Sequence, residues 1–386
     1  MKYRKFVSIT IVFTLTTIIS STFYASASRT EENSGASRIV EATGDVELKP
    51  RSQDFRPTGI GEVLGDGERL RLGEGAIVKV ICNTGRSWIV PPGTTSLVTD
   101  GCPGTPPITR TATLSRPGGN NPQLPYVISP RLTYLLTDKP TLKWNEVEGA
   151  TSYTVRIERE IGEIRELLWQ KTVTLTEIDY PENEQPLKWG RRYLVTVEAS
   201  NGASSRNDAG GNLGFEVVRK TVIERVKETK TSIENNSQGE DRAIALAGLY
   251  EDEKLIKNAI DTLQEMAVQD SEYPLIYLML GEFYGLSGLN VQAEANYETA
   301  LQLLLTSQHP YSLAKTQAKL AEVKLILGKK DEAQQLLNQA KAGYEASAAS
   351  QEVDEIEERL NELEIQNENE QSVPPNGILT PTDLLE

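Results

Sequence analysis

The sequence predicts a multidomain chain: two all-β domains, then an all-α solenoid of repeated helix pairs. Three observations predict it. Leu246-Ala247-Gly248-Leu249-Tyr250, Leu280-Gly281-Glu282-Phe283-Tyr284 and Leu320-Ala321-Glu322-Val323-Lys324 each open a helix. They are followed at a fixed distance by Ala259/Leu263/Met266, Ala293/Tyr297/Ala300 and Ala333/Leu337/Ala340. Residues 38–104 and 125–218 instead alternate polar and apolar side chains in short runs between Gly and Pro punctuation, the pattern of strands packed on one face. A Pro-, Gly- and Thr-rich linker, residues 105–124, separates these two regions.

The chain opens with Lys2, Arg4 and Lys5, an apolar run from Phe6 to Phe23, and Ala25-Ser26-Ala27. This order reads as a signal peptide over residues 1–27 with a small-x-small cleavage site, placing the mature protein in the periplasm or outside the cell. The run approaches spanning length, so an uncleaved anchor is the alternative. Its many Ser and Thr residues and the cleavage site favour removal. Loss of the leader leaves 359 of the 386 residues and takes the formal net charge from −15 to −18. Phosphate binding needs clustered cations, which argues against a nucleic acid partner. Membrane contact is expected only through an uncleaved leader.

Cys82 and Cys102 are the only cysteines. In an oxidising compartment a lone pair at this spacing is expected to form a disulfide, restricting the unfolded chain by roughly 3 kcal/mol. With one histidine in the chain, soft ligands are too few for a convincing metal site.

In the first β region, Gly44-Asp45-Val46 and Val63-Leu64-Gly65-Asp66-Gly67-Glu68-Arg69-Leu70 place turn residues directly before apolar alternation. Gly75-Ala76-Ile77-Val78-Lys79-Val80 and the segment from Gly85 to Thr94 do the same. These segments resemble the FecR-type periplasmic domain, which in regulators senses or contacts envelope partners. No transmembrane helix follows, so signalling into the cytoplasm is not implied.

The second β region holds Pro140-Thr141-Leu142-Lys143-Trp144, then Tyr153, Val155 and Ile157 on one face, and Tyr193, Val195, Val197 and Ala199 on another. It resembles a fibronectin type III or related immunoglobulin-like sandwich. The resemblance implies a core position for Trp144, with a sugar platform as the other reading. It also implies a tyrosine corner at Leu187-Lys188-Trp189-Gly190-Arg191-Arg192-Tyr193, where Trp189 replaces the family's proline.

Val222, Val226 and Ile233 predict a connecting helix over 219–239. Residues 240–347 resemble three tetratricopeptide (TPR) repeats, whose first two copies start 34 residues apart, at Glu240 and Pro274. Ala247, Gly281 and Ala321 are expected to meet Ala259, Ala293 and Ala333 where helix axes cross. The third copy starts six residues late, and Ser307–Ser312 are expected to lengthen a loop. Val353, Ile356, Leu360 and Leu363 predict a capping helix over 351–365, and the polar, Pro-containing residues 366–386 predict a disordered tail. The resemblance implies a concave groove for a protein or peptide partner, lined by Ile244, Leu275, Leu278, Glu282, Leu286, Lys315, Ala318, Glu322 and Leu325. Glu282 and Glu322 stand where carboxylate-clamping members carry Lys and Asn, so that use is not expected.

The chain supplies little for catalysis. His309, beside Pro310, reads as a solvated loop residue without a nucleophile elbow. Gly59, Gly61, Gly65 and Gly67 precede strands and therefore read as turn glycines, not a phosphate cradle. No cofactor or catalytic residue is assigned. The reading is a non-enzymatic exported scaffold or adaptor that binds a protein partner through its repeat groove. The alternatives are a FecR-like envelope sensor and a polysaccharide-binding envelope structural protein.

Overall fold

A computed structural model describes residues 36–108, 115–161, 164–210, 214–307 and 309–372. The leader expected over 1–27, the middle of the linker and the tail beyond 372 lie outside the described residues. Among those described, β sheets occupy the N-terminal part and a run of helices follows from Lys220. None of these helices is long and apolar enough to cross a membrane.

The first β region pairs β1 (Ser37–Thr43), β4 (Val63–Leu64), β6 (Ile77–Ile81) and β7 (Ser87–Val90) in the order β4-β1-β6-β7. A second sheet runs β3-β2-β5-β8 through β2 (Val46–Lys49), β3 (Arg56–Pro57), β5 (Arg69–Leu72) and β8 (Thr95–Leu97). Period two is realised in β5, where Leu70 and Leu72 are buried between exposed Arg69 and Arg71. Gly44, at φ +72°, makes the turn from β1 to β2, a conformation with little cost only for glycine. A single turn, α1 (Val98–Gly101), leads to Cys102, which forms a disulfide with Cys82 at the end of β6.

The second β region places β9 (Val127–Ser129), β11 (Thr141–Trp144) and β14 (Glu177–Asp179) in one sheet, ordered β14-β11-β9. The other runs β10-β16-β15-β12-β13, from β10 (Thr133–Leu135), β12 (Tyr153–Ile161), β13 (Ile164–Val173), β15 (Arg191–Ala199) and β16 (Phe215–Val217). Trp144 is buried between the layers, edge-on to Tyr153. The Tyr193 hydroxyl accepts from the Lys188 N–H at 2.7 Å, and Leu187 is buried beside it, so the 187–193 corner forms with Trp189 only partly buried.

Helix α2 (Lys220–Asn236) buries Val226 and Ile233, the stripe its spacing predicts. Three helix pairs follow: α3 (Gly239–Asp252) with α4 (Ile256–Ala267), α5 (Pro274–Leu286) with α6 (Asn290–Ser307), and α7 (Pro310–Ile326) with α8 (Lys330–Ala346). Each packs on the next. Ala247, Ala259, Ala293, Ala321 and Ala333 are fully buried. At Gly281 an added Cβ would lie 2.7 Å from the Tyr297 ring, so the close approach there is to an aromatic edge. The six extra residues before the third pair do not extend a loop. They lengthen α6 to Ser307, because Leu304 can be buried in the core. Helix α9 (Ser350–Ser372) covers the end of the array and runs seven residues past the expected cap.

Residues 115–124 are not a free tether. The Arg116 N–H donates to the Gly285 carbonyl at 2.9 Å, and Asn290 Nδ2 donates to the Arg116 carbonyl at 2.7 Å. Arg131 donates to the Ser287 carbonyl (2.5 Å) and pairs with buried Asp208 at 2.8 Å, tying the second sandwich to the α5–α6 turn. One apolar cluster runs without interruption from Ile39, Val78 and Val80 of the first sandwich to Ile244, Leu275 and Phe283 of the helices. The β and α parts therefore share a core.

Candidate functional site: the inner face of the helices

The first helix of each pair turns one face toward the first sandwich. Its apolar residues explain the attraction. Ile244, Leu275 and Leu278 are exposed by 1, 1 and 6%, and all lie in the shared cluster. Leu275 comes so close to Gly61 that an added Cβ would touch it at 3.4 Å.

Charges at this seam are paired across it. The buried Arg38 donates to the Gly61 carbonyl at 3.1 Å and forms an ion pair with Glu251 of α3. Burial opposes its charge, but Glu251 and Glu282 outweigh burial and raise its pKa. Glu62, from the loop before β4, accepts from Arg56 of its own sandwich (2.6 Å) and from Lys315 of α7 (3.0 Å). Lys79 of β6 reaches Asp241 in the first turn of α3 at 2.9 Å and the Tyr273 hydroxyl at 3.3 Å. Burial again works against the ammonium, and Asp241 and Tyr273 hold its pKa above the usual lysine range.

Two titratable groups carry unfavourable environments. Asp252, the last residue of α3, has its pKa pushed up to about 7, first by burial and then by neighbouring Glu251, with Arg38 opposing. His309 is only 3% exposed, which corrects the solvated-loop reading. It is the N-cap of α7, its Nδ1 accepting from the Ser312 N–H at 3.2 Å, and burial lowers its pKa. The Ser312 hydroxyl accepts from the Ile60 N–H at 2.9 Å, so the cap is part of the seam.

The nine positions expected to line an open groove are therefore divided among occupants from the same chain. Ile244, Leu275 and Leu278 enter the core shared with the first sandwich, and Lys315 pairs with Glu62. Glu282 is held by Lys319 at 2.6 Å; burial raises its pKa, but Lys319 and Arg38 bring it below the ordinary carboxylate range. Leu286 is half-buried next to Gly285, on which the linker residues Ser115 and Arg116 rest. Ala318 and Leu325 pack in the cluster that includes Ile356 and Leu363 of α9, and Glu322 accepts from Arg359 at 2.9 and 3.0 Å. Ile244, Leu275, Leu278 and Lys315 thus meet the first sandwich, while Glu282, Leu286, Ala318, Glu322 and Leu325 are half-buried against the helices and the linker.

The sequence does not mark Arg38, Ile60 or Glu62, and it marks Gly59 only as a turn glycine and Lys79 only as part of a strand. A signal exists for one of them. Ser37-Arg38-Ile39-Val40 is buried at four successive positions, and a strand buried on both faces that carries an Arg requires a charged partner outside its own sheet.

Among the described residues, no cluster of three or more His, Cys, Asp or Glu side chains is arranged to hold a metal ion. No protein-family model matches the chain, and no curated protein matches it in sequence.

Proposed function

We propose that the chain is a non-enzymatic adaptor exported to the cell envelope, in which a TPR array holds a FecR-like sandwich and a fibronectin type III-like sandwich as one rigid unit. The observation that carries this reading is the occupied inner face. Of the surface that such arrays offer to a peptide or helix, the part formed by Ile244, Leu275, Leu278 and Lys315 is taken up here by the first sandwich of the same chain. An interface with a continuous apolar core resists domain motion, so the array acts as a frame that fixes the two β domains in space. The parallel pairing of β10 with β16, the three-stranded sheet facing it and the Tyr193 corner support the fibronectin-like assignment. The disulfide and the absence of a membrane-spanning helix among the described residues are compatible with export.

A photo-crosslinking amino acid at Leu278, in the full chain expressed in its own cells, tests the arrangement. The expected product is an intramolecular adduct mapping to the first sandwich. An adduct to a separate envelope protein would show that the inner face serves a partner in trans and would overturn the cis reading.

A further inference from the structure

The seam leaves unexplained a surface of exposed cations and aliphatics at the end of the second sandwich where β16 runs into α2. Arg191 and Arg192 begin β15, and with Arg159 and Ile161 of β12 they line one open concavity at the end of the five-stranded sheet, whose other charged lining residues are Glu160 and Glu216, the latter opposite Arg192 in the β15–β16 register. The Arg219 side chain lies beside Gly190, so closely that an added Cβ there would meet its Cγ at 3.2 Å. Lys188 and Lys220 flank the same corner in sequence. Lys188, Arg191, Arg192, Arg219 and Lys220 are all exposed. Arg159 pairs with Glu166, and Arg165 with Glu160. The first five cations have no ion pair among the described residues, on a chain whose formal net charge is −15.

A second feature sits against these cations. Ile161 and Ile164 face each other in the β12–β13 register at the end of the hairpin, exposed by 52% and 70%. Leu167, on the same edge strand, is 52% exposed. Exposed branched aliphatics at a hairpin end gain nothing from water, and a purely electrostatic partner would not use them.

We propose that this end of the second sandwich docks the protein on an anionic phospholipid surface. The arginines and lysines meet lipid phosphates while Ile161 and Ile164 enter the interfacial layer. The charges supply long-range attraction and orientation; the isoleucines supply contact that a soluble polyanion cannot offer. The surface lies outside the seam, so failure here leaves the adaptor reading standing.

Sedimentation of the mature chain with vesicles tests this. The protein should bind phosphatidylglycerol–phosphatidylcholine vesicles and not phosphatidylcholine alone, with binding weakening as salt is raised. Arg191→Glu with Arg192→Glu should reduce binding by roughly tenfold or more, and Ile161→Ser with Ile164→Ser should reduce it by several-fold at unchanged net charge. All four positions are at the surface, so melting temperatures should stay near wild type, and each variant is read only with that check. Failure to bind the anionic vesicles would overturn the proposal, as would binding that survives the arginine reversal. Binding to soluble polyglutamate but not to vesicles would assign the patch to an acidic polymer instead. An isoleucine pair without effect would remove the insertion and with it the membrane assignment.

Discussion

Replacing Gly59 with alanine puts one methyl group into the seam between the first sandwich and α7. An ideal Cβ at this position would overlap Ser312 Oγ and lie 2.6 Å from His309 Cε1, whereas real Cβ contacts essentially never fall under 3.0 Å. Gly59 is absent from the glycines with positive φ, so the effect is steric and not a backbone penalty. Ser312 can rotate away only by giving up the bond it accepts from the Ile60 N–H at 2.9 Å and its 2.8 Å contact with His309 Nδ1. Leaving that buried N–H unpaired costs about 1–3 kcal/mol, and overpacking costs about 1–3 kcal/mol if the imidazole shifts instead. By either route a destabilisation of roughly 1–3 kcal/mol is expected, which at roughly 2–4 °C per kcal/mol for chains of this order is a fall of several degrees in Tm. Adding Ser312→Ala should recover part of the loss by opening space, so the two changes should be non-additive. Hydrogen exchange should quicken at the start of α7 and leave the second sandwich alone. A Gly59→Ala protein that melts within a degree of wild type would refute the seam as described.

The remaining tests address separate parts of the molecule. Gly281→Leu drives a side chain into Tyr297, which is only 3% exposed, and should lower stability by about 1–3 kcal/mol or more in a urea titration. Replacing Cys82 and Cys102 with alanine should cost roughly 3 kcal/mol, and alkylation without reductant should find no free thiol in the wild type. Asp252 has a folded pKa of about 7, raised above its unfolded value, so the folded state holds a proton that the unfolded state has released. Its contribution therefore falls as pH rises from about 4 to about 7, and Asp252→Asn should melt above wild type at pH 8 with the difference closing near pH 4. Tyr193→Phe removes the acceptor for the Lys188 N–H and should cost about 0.5–1.5 kcal/mol, localised by exchange to the 187–193 corner.

Local patterns were legible because their physics is local. Leu70 and Leu72, or Tyr153, Val155 and Ile157, declare a buried face through period two alone, and the pleat places them there. Val226 and Ile233 do the same at helical spacing. Where the reading failed, the deciding partner was distant in sequence or the local rule was misapplied. His309-Pro310 reads as a loop, yet proline is favoured in the first helical turn and a polar residue before it is a natural cap. The insertion from Ser307 reads as a loop, although Leu301, Leu303 and Leu304 continue an apolar run that a longer α6 buries or half-buries. The Gly118-Gly119 stretch has linker composition, but Gly119 donates its N–H to Asp208 at 2.8 Å and its neighbours cap the α5–α6 turn.

The inner face shows why a groove's lining does not identify its occupant. Ile244, Leu275 and Leu278 demand an apolar cover, and the pattern is satisfied equally by a separate peptide or by a domain tethered some two hundred residues upstream. What distinguishes the two is the tethered candidate's own surface. β1 carries Arg38 at a position buried outside its own sheet, and the loop before β4 carries Glu62, 5% exposed. Either charge would be costly if that surface were buried against apolar helices alone. The helices supply Glu251 to Arg38 and Lys315 to Glu62, opposite in sign at each place, so the two surfaces match in charge as well as in apolar content. A covalently attached partner is present at a high effective concentration, and an external segment must compete against it and take Glu251 from Arg38 and Lys315 from Glu62. On the reading proposed above, partner recognition in trans falls to surfaces the seam does not consume, and the end of the second sandwich, where Lys188, Arg191, Arg192, Arg219 and Lys220 form no ion pair among the described residues, is where exposed charge and exposed aliphatic area coincide.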